Sequence, residues 1–361
     1  MKVKLESFLQ EVSEKTTENN QYQVLTSSKV GLYLQSDYFN KQVASKDNKG
    51  YKIIKKGQFT YRAMSDTGEF FPNMLECTDI GIVSPAYPVF EIVKPVIIPE
   101  YLKYYFKSNG FQQSISSFAQ GSTRTSIKYG KLKTVSMDLP NLEEQKRVIA
   151  ILDTIHNIID SSKQELKMFD DLIKARFVEM FGDPVTSLKG RKQVPFSEFM
   201  TDIKYGTSQP PQFSEDGEYK FIRATNIKKG RITEENMLRI SEAEAAKIQK
   251  CKLLGNEIII VRSGANTGDT CVVTTEYAEN YAGYDIIITL DLTKANPVYF
   301  NELINTHYME QIVKPLTARS AQPHLNTKQV QGMPMIVASM DEQNEFAVFV
   351  EQVDKSKFVV I

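Results

Sequence analysis

The chain lacks the features that would place it among membrane proteins, secreted proteins or zinc proteins. Its three cysteines, Cys77, Cys251 and Cys271, are isolated, so neither a paired zinc site nor a disulfide framework is expected. No apolar run approaches the roughly 18 residues of a membrane-spanning helix, and the N-terminus has no apolar segment typical of a signal peptide. We therefore expect a cytoplasmic protein that makes no membrane contact.

Motifs for nucleotide and metal chemistry are missing as well. There is no GxxxxGK[ST] phosphate loop, no GxGxxG unit between a strand and a helix, and no histidine pair with zinc-hydrolase spacing. Residues 263–268 are glycine-rich but lack the lysine of a phosphate loop, and they fit a hairpin turn. Asp216, Glu218 and Lys220 are too close in sequence to come from separate strands of a metal nuclease, and they fit a solvated loop. We predict no catalytic and no metal site, which makes binding the leading class of function.

A long internal repeat is the most informative feature that the chain does have. Residues 141–145 and 339–343 open similar amphipathic runs 198 positions apart, and the same offset aligns Tyr101 with Tyr299. Solenoid and propeller repeats are only a few tens of residues long, so this period indicates two homologous domains. The segments before each run combine β-branched strands, glycine turns and helical spacing. They predict mixed α/β (α+β) domains.

The first amphipathic run predicts a long helix. Asn141 and Glu144 fit a capping box, and Gly182 followed by Pro184 is a typical helix stop. Between them, apolar residues alternate four and three apart, as in a heptad seam. The second run has the same cap, beginning at Ser339, but is only about half as long. We predict that the two helices pair antiparallel through Val148, Leu152, Ile155, Ile159, Leu166, Phe169, Ile173, Met180, Phe346, Val350 and Val353.

Arginines at strand ends and in polar loops are candidates for ligand contacts. Arginine can bridge guanine, and Asn or Gln can bridge adenine, whereas Ser, Thr and Lys commonly bind phosphates. The alternative is that these are ordinary solvated loops. The predicted DNA-contact set consists of Arg62, Ser122, Thr123, Arg124, Thr125, Lys128, Tyr205, Thr207, Ser208, Arg223, Asn226, Arg262, Ser263, Asn266, Arg319, Ser320, Gln322 and His324.

Two motifs at the ends of the long helix strongly resemble the central conserved region of Type I restriction-modification specificity subunits. They are Leu-Pro-Asn-Leu-Glu-Glu-Gln at residues 139–145 and Arg-Phe-Val-Glu-Met-Phe-Gly-Asp-Pro at residues 176–184. Two tandem target recognition domains, each followed by a conserved helix, are similar to that family's plan along the whole chain. The resemblance implies a first recognition domain at 1–140, a spacer helix at 141–184, a second recognition domain at 185–338 and a truncated helix at 339–361.

The resemblance also implies a non-catalytic subunit that binds double-stranded DNA. Each domain would read one half of a bipartite target, and the helices would set the spacer. Modification (methyltransferase) and restriction (translocase-nuclease) subunits would be its partners, and S-adenosylmethionine, ATP and Mg would be cofactors of those partners rather than of this chain. Two alternatives stay open. One is a truncated or phase-switched subunit that dimerises through an unpaired seam at about residues 166–180, and the other is a recognition module split from a larger methyltransferase-nuclease.

Overall fold

The structure, a computed structural model, describes residues 2–38, 47–118, 125–317 and 323–360. The chain forms two units, Met1–Ile159 and Asp160–Ile361. The longest helix starts in the first unit and ends in the second. None of the described helices is long and apolar enough to cross a membrane.

The first unit is mixed α/β. Its strands are β1 (Lys2–Lys4), β2 (Leu9–Val12), β3 (Leu25–Ser27), β4 (Leu32–Leu34), β5 (Lys52–Lys55), β6 (Phe59–Thr60), β7 (Met64–Ser65), β8 (Asn73–Met74), β9 (Ile80–Val83), β10 (Val89–Ile92), β11 (Thr125–Ser126) and β12 (Ser136–Asp138). Its helices are α1 (Gln35–Tyr38), α2 (Pro99–Lys107), α3 (Asn109–Ser116), α4 (Tyr129–Leu132) and the first part of α5 (Leu142–Phe181).

The second unit is also mixed α/β. Its strands are β13 (Gln193–Pro195), β14 (Met200–Tyr205), β15 (Tyr219–Ile222), β16 (Ile227–Lys228), β17 (Arg231–Ile232), β18 (Leu238–Ile240), β19 (Ile258–Ile260), β20 (Thr270–Val272), β21 (Tyr281–Ala282), β22 (Ile286–Leu290) and β23 (Pro334–Ile336). Its helices are α6 (Glu242–Lys247), α7 (Pro297–Ile304), a π-helical segment (Met309–Val313), α8 (Lys314–Thr317), α9 (Thr327–Gln331) and α10 (Met340–Val360), together with the end of α5.

The two units share the topology of a four-stranded sheet and of one strand pair. A four-stranded antiparallel sheet has the order β2-β10-β6-β8 in the first unit and β14-β22-β19-β20 in the second. A two-stranded pair, β1 with β12 and β13 with β23, joins the first and last strand of each copy. The sheet of the first unit packs its aromatic face on α2, where the Phe106 ring lies edge-on to Phe59 and Phe90 at 5.8 and 6.1 Å. The predicted duplication and the predicted mixed α/β class are confirmed.

A buried glutamine anchors the start of each helical run and shows the repeat at atomic level. The Gln145 side chain is fully buried, accepts the N–H of Ile98 at 2.8 Å and donates to the carbonyls of Val96 and Pro140. Gln343 is also fully buried and makes the same three bonds 198 positions later, with Asn296, Lys294 and Ala338. Removing a buried amide that bonds to three backbone groups lowers the free energy of unfolding more than removing an exposed one, so this glutamine stabilises both copies.

The end of α5 packs antiparallel to α10 within the second unit. The ring of Phe346, near the start of α10, lies 5.4 Å from Phe177 and 5.6 Å from Phe181. Near the end of α10, Lys357 Nζ lies 2.8 Å from the Asp170 carboxylate. Contacts therefore move toward the N-terminus of α5 as the chain advances along α10, and the predicted antiparallel pairing is confirmed.

The predicted seam is confirmed only where α10 covers α5. Ile173 is 2% exposed, and it shares one core with the three seam residues of α10 and with Phe169 and Met180, which pack against it. Leu152 and Leu166 are half-buried. The remaining seam residues are exposed by 37 to 45%, and they are Val148, Ile155 and Ile159.

The predicted position of the unpaired seam, about residues 166–180, is wrong. Because α10 is antiparallel to α5 and starts beside its last turn, a short α10 covers the end of α5 and not its beginning. Spacing of three and four residues after Ile173 falls on Arg176 and Met180, whereas the structure buries Phe177 and Phe181 completely. Arg176 instead bonds to Glu345 at 3.2 Å and lies over the Phe349 ring.

One buried position distinguishes the two copies chemically. Gln58 in the first unit accepts the N–H of Lys55 and donates to Glu91. Its structural counterpart, Glu257, is fully buried and accepts the N–H of Leu254 at 2.7 Å, but its Oε1 has no hydrogen-bond partner among the described residues. Burial raises the pKa of Glu257, although the Leu254 N–H and the charge of Lys204 oppose the shift.

Glu257→Gln should therefore stabilise the second unit at neutral pH by about 1 kcal/mol. The raised pKa shows that the burial cost of the carboxylate exceeds its attraction to Lys204 Nζ, which lies 3.9 Å away. A carboxyl with a raised folded pKa supports folding below its unfolded value of 4.5, and this support is lost as pH rises through the folded value. The gain in melting temperature over wild type should thus be larger at pH 7 than at pH 5. Glu215→Gln, at an exposed position, is the control. Equal melting temperatures for the Glu257 variant and wild type at pH 7 would contradict this account.

Candidate functional site

The candidate site lies in the second unit, where the chain leaving β14 meets the segment between β21 and β22. The Gly206 N–H donates to the Asp285 carbonyl at 2.8 Å, and the Thr207 N–H donates to Ala282 at 3.4 Å. A Cβ atom at position 206 would lie 1.6 Å from the Gly283 carbonyl oxygen. Only glycine allows this approach, which holds the loop that begins at Thr207 against the sheet.

Arg262 occupies the centre of the site. Its guanidinium carbon lies 4.3 Å from the centre of the Tyr205 ring and 4.4 Å from that of Tyr284, so the cation is held between two aromatic rings. Its Nε donates to His324 Nε2 at 3.3 Å, and its backbone N–H donates to the Asp285 carboxylate at 3.0 Å. These contacts restrict both the position and the plane of the guanidinium.

Two neighbouring groups have shifted titration. Burial raises the pKa of Asp285 to about 6, although the backbone N–H and the positive charge of Arg262 act against the shift. Partial burial would raise the pKa of Tyr205, but the N–H that Thr327 donates to its hydroxyl and the Arg262 charge outweigh burial and lower it. The site therefore holds a fixed cation beside a carboxyl that takes up a proton near pH 6.

A cavity of about 460 Å³ opens next to the Arg262 stack. Its walls combine hydroxyl groups, aromatic rings and one further guanidinium, and they include Thr207, Ser208, Phe213, Arg223, Ser263 and Tyr284. Phe213 and Tyr284 are each 43% exposed. The sequence reasoning missed Phe213, Tyr284 and Asp285. A signal was available in the run Gly283-Tyr284-Asp285, which places an aromatic and an acid after a glycine at a strand end.

The structure brings several of the predicted contact residues together and excludes one of them from the site. Tyr205, Arg262 and His324 form the stack, while Thr207, Ser208, Arg223 and Ser263 line the cavity. Asn226 is wrong as a direct contact, because it is fully buried and its amide donates to the carbonyls of Thr233 and Glu235. It belongs to a reciprocal cap with Arg223 and stabilises the turn. Asn266 lies at the edge, 3.4 Å from the Ala224 carbonyl.

In the first unit the described candidates sit around the β7-β11 pair. Arg62 is exposed and lies 3.9 Å from Asp66, Thr125 donates its hydroxyl to the Ser65 carbonyl, and Lys128 is exposed. Six predicted residues lie outside the described ranges, namely Ser122, Thr123, Arg124, Arg319, Ser320 and Gln322.

Arg62 is not the counterpart of Arg262 in the repeat. Ile127 donates its N–H to the carbonyl of Ala63, whereas Leu325, its counterpart 198 positions later, donates to Arg262. Arg262 therefore corresponds to Ala63. The two copies share this backbone hydrogen bond, but the first copy has an alanine where the second has the stacked arginine.

Comparison with known proteins decides the family. The family model described as Type I restriction modification DNA specificity domain matches residues 6–168 and again residues 200–358. This chain belongs to that family. The two matches cover both copies of the repeat, so the Type I specificity domain is the unit that was duplicated.

Curated members of the Type I specificity family are distant in sequence. The EcoKI specificity subunit of Escherichia coli (strain K12) is 23% identical over 277 residues, which cover 71% of this chain and 59% of that protein. The StySPI specificity subunit of Salmonella potsdam is 22% identical over 276 residues, covering 71% and 58%. The match thus spans about three fifths of the length of these relatives.

Two solved structures from Type I restriction-modification systems show the same fold. The S subunit of a Type I restriction-modification system from M. genitalium aligns over 100% of this chain and 90% of its own, with a TM-score of 0.57 and 13% identity. A chain from a structural study of complex assembly and conformational transition in the type I R-M system aligns over 100% and 91%, with a TM-score of 0.52 and 18% identity.

Proposed function

We propose that this chain is the DNA specificity subunit of a Type I restriction-modification complex. It binds a bipartite DNA sequence, each unit reads one half-site, and it performs no catalysis itself. The observation that carries this proposal is the duplicated fold within the Type I specificity family. Two copies of one sheet topology supply two reading surfaces on one chain, and a continuous helix of 40 residues connects them.

The site in the second unit has the chemistry that base recognition needs. DNA sequence is read by side chains that donate to base edges, and phosphate contacts fix the register. Arg262 supplies a held guanidinium, and Thr207, Ser208 and Ser263 supply hydroxyl groups at the rim of the cavity. The overall charge of the chain is balanced, with 44 basic and 44 acidic residues, so recognition relies on such placed groups and not on bulk charge.

The partners in this proposal are modification and restriction subunits, which would contribute S-adenosylmethionine, ATP and Mg. The first half of α5 offers them a surface, because its apolar side chains are exposed. The exposed fraction of the side chain is 37% at Val148, 45% at Ile155, 51% at Ile151 and 60% at Ile158. An exposed apolar stripe of this kind indicates a protein contact. We assign it to the modification subunits.

A second copy of this chain is the alternative occupant of the same stripe. The sequence analysis placed a dimer seam at residues 166–180, but α10 already covers that segment, so a dimer would have to use residues 148–159. Light scattering on the chain purified alone, and then with modification subunits, separates the two occupants. A dimer that persists after modification subunits are added would favour the second copy.

The proposed function predicts the methylation pattern of the assembled complex. Co-expression with a cognate modification subunit, followed by single-molecule sequencing, should show methylated adenines within a two-part motif with a fixed gap. Two recognition elements at a set spacing read half-sites that are a set number of base pairs apart. A continuous motif would overturn the two-half-site proposal. Methyl transfer to DNA by this chain alone would overturn the non-catalytic assignment and favour a module of a larger methyltransferase-nuclease.

A further inference from the structure

We propose that Arg262 reads a guanine in the half-site of the second unit, with its two Nη groups donating to O6 and N7 in the major groove. Tyr205, Tyr284 and His324 act as positioning residues that hold the guanidinium plane. This inference rests on the proposed function and names the base chemistry of its site.

Arg262 differs from the other described arginines of the second unit, because its guanidinium has no carboxylate or carbonyl partner among the residues that the structure describes. Within the described part of the chain, the guanidinium donates only to His324. In the other described arginines of this unit, the guanidinium donates to a carboxylate or to a backbone carbonyl. The acceptors are Glu345 for Arg176, Glu342 for Arg191, the Asn236 carbonyl for Arg223, Glu302 and Asp354 for Arg231, and the Gly217 and Glu218 carbonyls for Arg239. Those arginines stabilise the fold, whereas Arg262 keeps donors for a ligand.

The geometry leaves the correct edge of the guanidinium available. His324 Nε2 accepts the hydrogen bond that Arg262 Nε donates. The edge formed by Nη1 and Nη2 is then available to a ligand, and it can donate two parallel hydrogen bonds. The rings of Tyr205 and Tyr284, which are 38% and 43% exposed, both contact the guanidinium and restrict its movement. A donor pair that is already fixed loses little side-chain entropy on binding, which favours planar recognition of a base.

A base edge suits this position better than a phosphate. The Asp285 carboxyl is 4% exposed and bonds to the backbone of Arg262, so its negative charge lies next to the site. A carboxylate repels the negatively charged phosphodiester of the DNA backbone but not a neutral base. Among the bases, guanine alone presents two acceptors, O6 and N7, side by side in the major groove.

The test uses the full chain assembled with its modification subunits and a library of randomised duplexes. Wild type should enrich a two-part motif with a fixed G·C pair in one half, and both Arg262→Ala and Arg262→Lys should lose the preference at that pair by about 10- to 100-fold. Lysine keeps the charge but not the planar donor pair. Lys294→Ala, which removes a positive charge elsewhere in this unit, should keep the preference. Replacing the selected guanine by 7-deazaguanine should weaken wild type and leave Arg262→Ala unchanged.

Each outcome decides between defined possibilities. A uniform loss of affinity for every sequence in Arg262→Ala, with normal affinity in Arg262→Lys, would identify a phosphate contact and overturn guanine reading while leaving the proposed function intact. Full preference in both variants would also overturn guanine reading. Enrichment of no motif by wild type would overturn the proposed function itself. Thermal melts of all variants must match wild type for the comparison to hold, and Arg262→Lys serves as the reading variant if Arg262→Ala does not fold.

Discussion

Phe346→Ala should lower the free energy of unfolding of the second unit by about 3 to 5 kcal/mol, the usual cost of removing a buried phenylalanine ring. Phe346 has no exposed surface and packs edge-on against Phe177 and Phe181. The cavity cannot close easily, because Phe177 and Phe181 are themselves held by the Tyr299 ring of α7, at 5.4 and 4.8 Å. The loss therefore includes both the transfer of the ring and the cavity that remains.

Denaturant unfolding measures the change in the free energy of unfolding. Hydrogen exchange of separate peptides then shows in which unit the loss occurs. Peptides of residues 193–360 should lose protection in the variant, and peptides of residues 2–138 should keep it. Val348→Ala is the matched control, because Val348 lies on the same helix but is 53% exposed. It should cost well under about 1 kcal/mol. Similar losses for the two variants would mean that α10 does not pack through the Phe346 face.

The helices were predictable because their signals are local. The predicted spans 141–184 and 339–361 agree with Leu142–Phe181 and Met340–Val360 to within a few residues. At each start, a capping side chain accepts a first-turn N–H, as in the 2.9 Å bond from Glu144 to Asn141. The duplication was visible for the same reason, since each copy opens its helix with the same residues.

The packing of those helices was not predictable from period alone. A heptad count assumes one partner helix, and it selects Arg176 and Met180. The end of α5 packs at the same time against α10, α7 and the sheet of its unit, so the buried positions step by four, from Ile173 to Phe177 to Phe181. Tertiary contacts set the buried face here, and such contacts are not written in the local pattern.

The site shows the same division. Arg262 stands at the end of a strand, where polar residues indicate a candidate binding surface, so the sequence alone could offer it as a candidate. Tyr284 and Asp285 reach it from the segment between β21 and β22, and only the fold shows that they meet. Asn226 has the composition of a binding loop, but its amide is used up by the backbone of its own turn. Residue type identifies candidates, and hydrogen-bond satisfaction separates contacts from turn supports.

Gly206→Ala should have the second large effect, on both stability and recognition. The added methyl group would overlap the Gly283 carbonyl oxygen at 1.6 Å, and its carbonyl carbon lies only 2.7 Å away. These are backbone atoms of a paired strand end and cannot rotate away as a side chain does. Relief requires that the loop separates from the sheet, at a cost of about 3 kcal/mol or more. Tyr205 immediately precedes this position, so the ring that covers Arg262 should move with it.

Gly332→Ala provides a matched control in the same unit. A Cβ atom at position 332 would meet its nearest neighbour, the Lys328 carbonyl oxygen, at 3.5 Å, which is ordinary van der Waals contact, so this variant should fold and recognise DNA normally. In motif mapping with the assembled complex, Gly206→Ala should relax one half of the motif and leave the other half intact, because the first unit has its own core and sheet. If both halves relaxed equally, recognition by the two units would be coupled, and the reading surfaces could not be independent copies. If neither half relaxed although the loop was displaced, the Tyr205 and Arg262 stack would not be part of the reading surface.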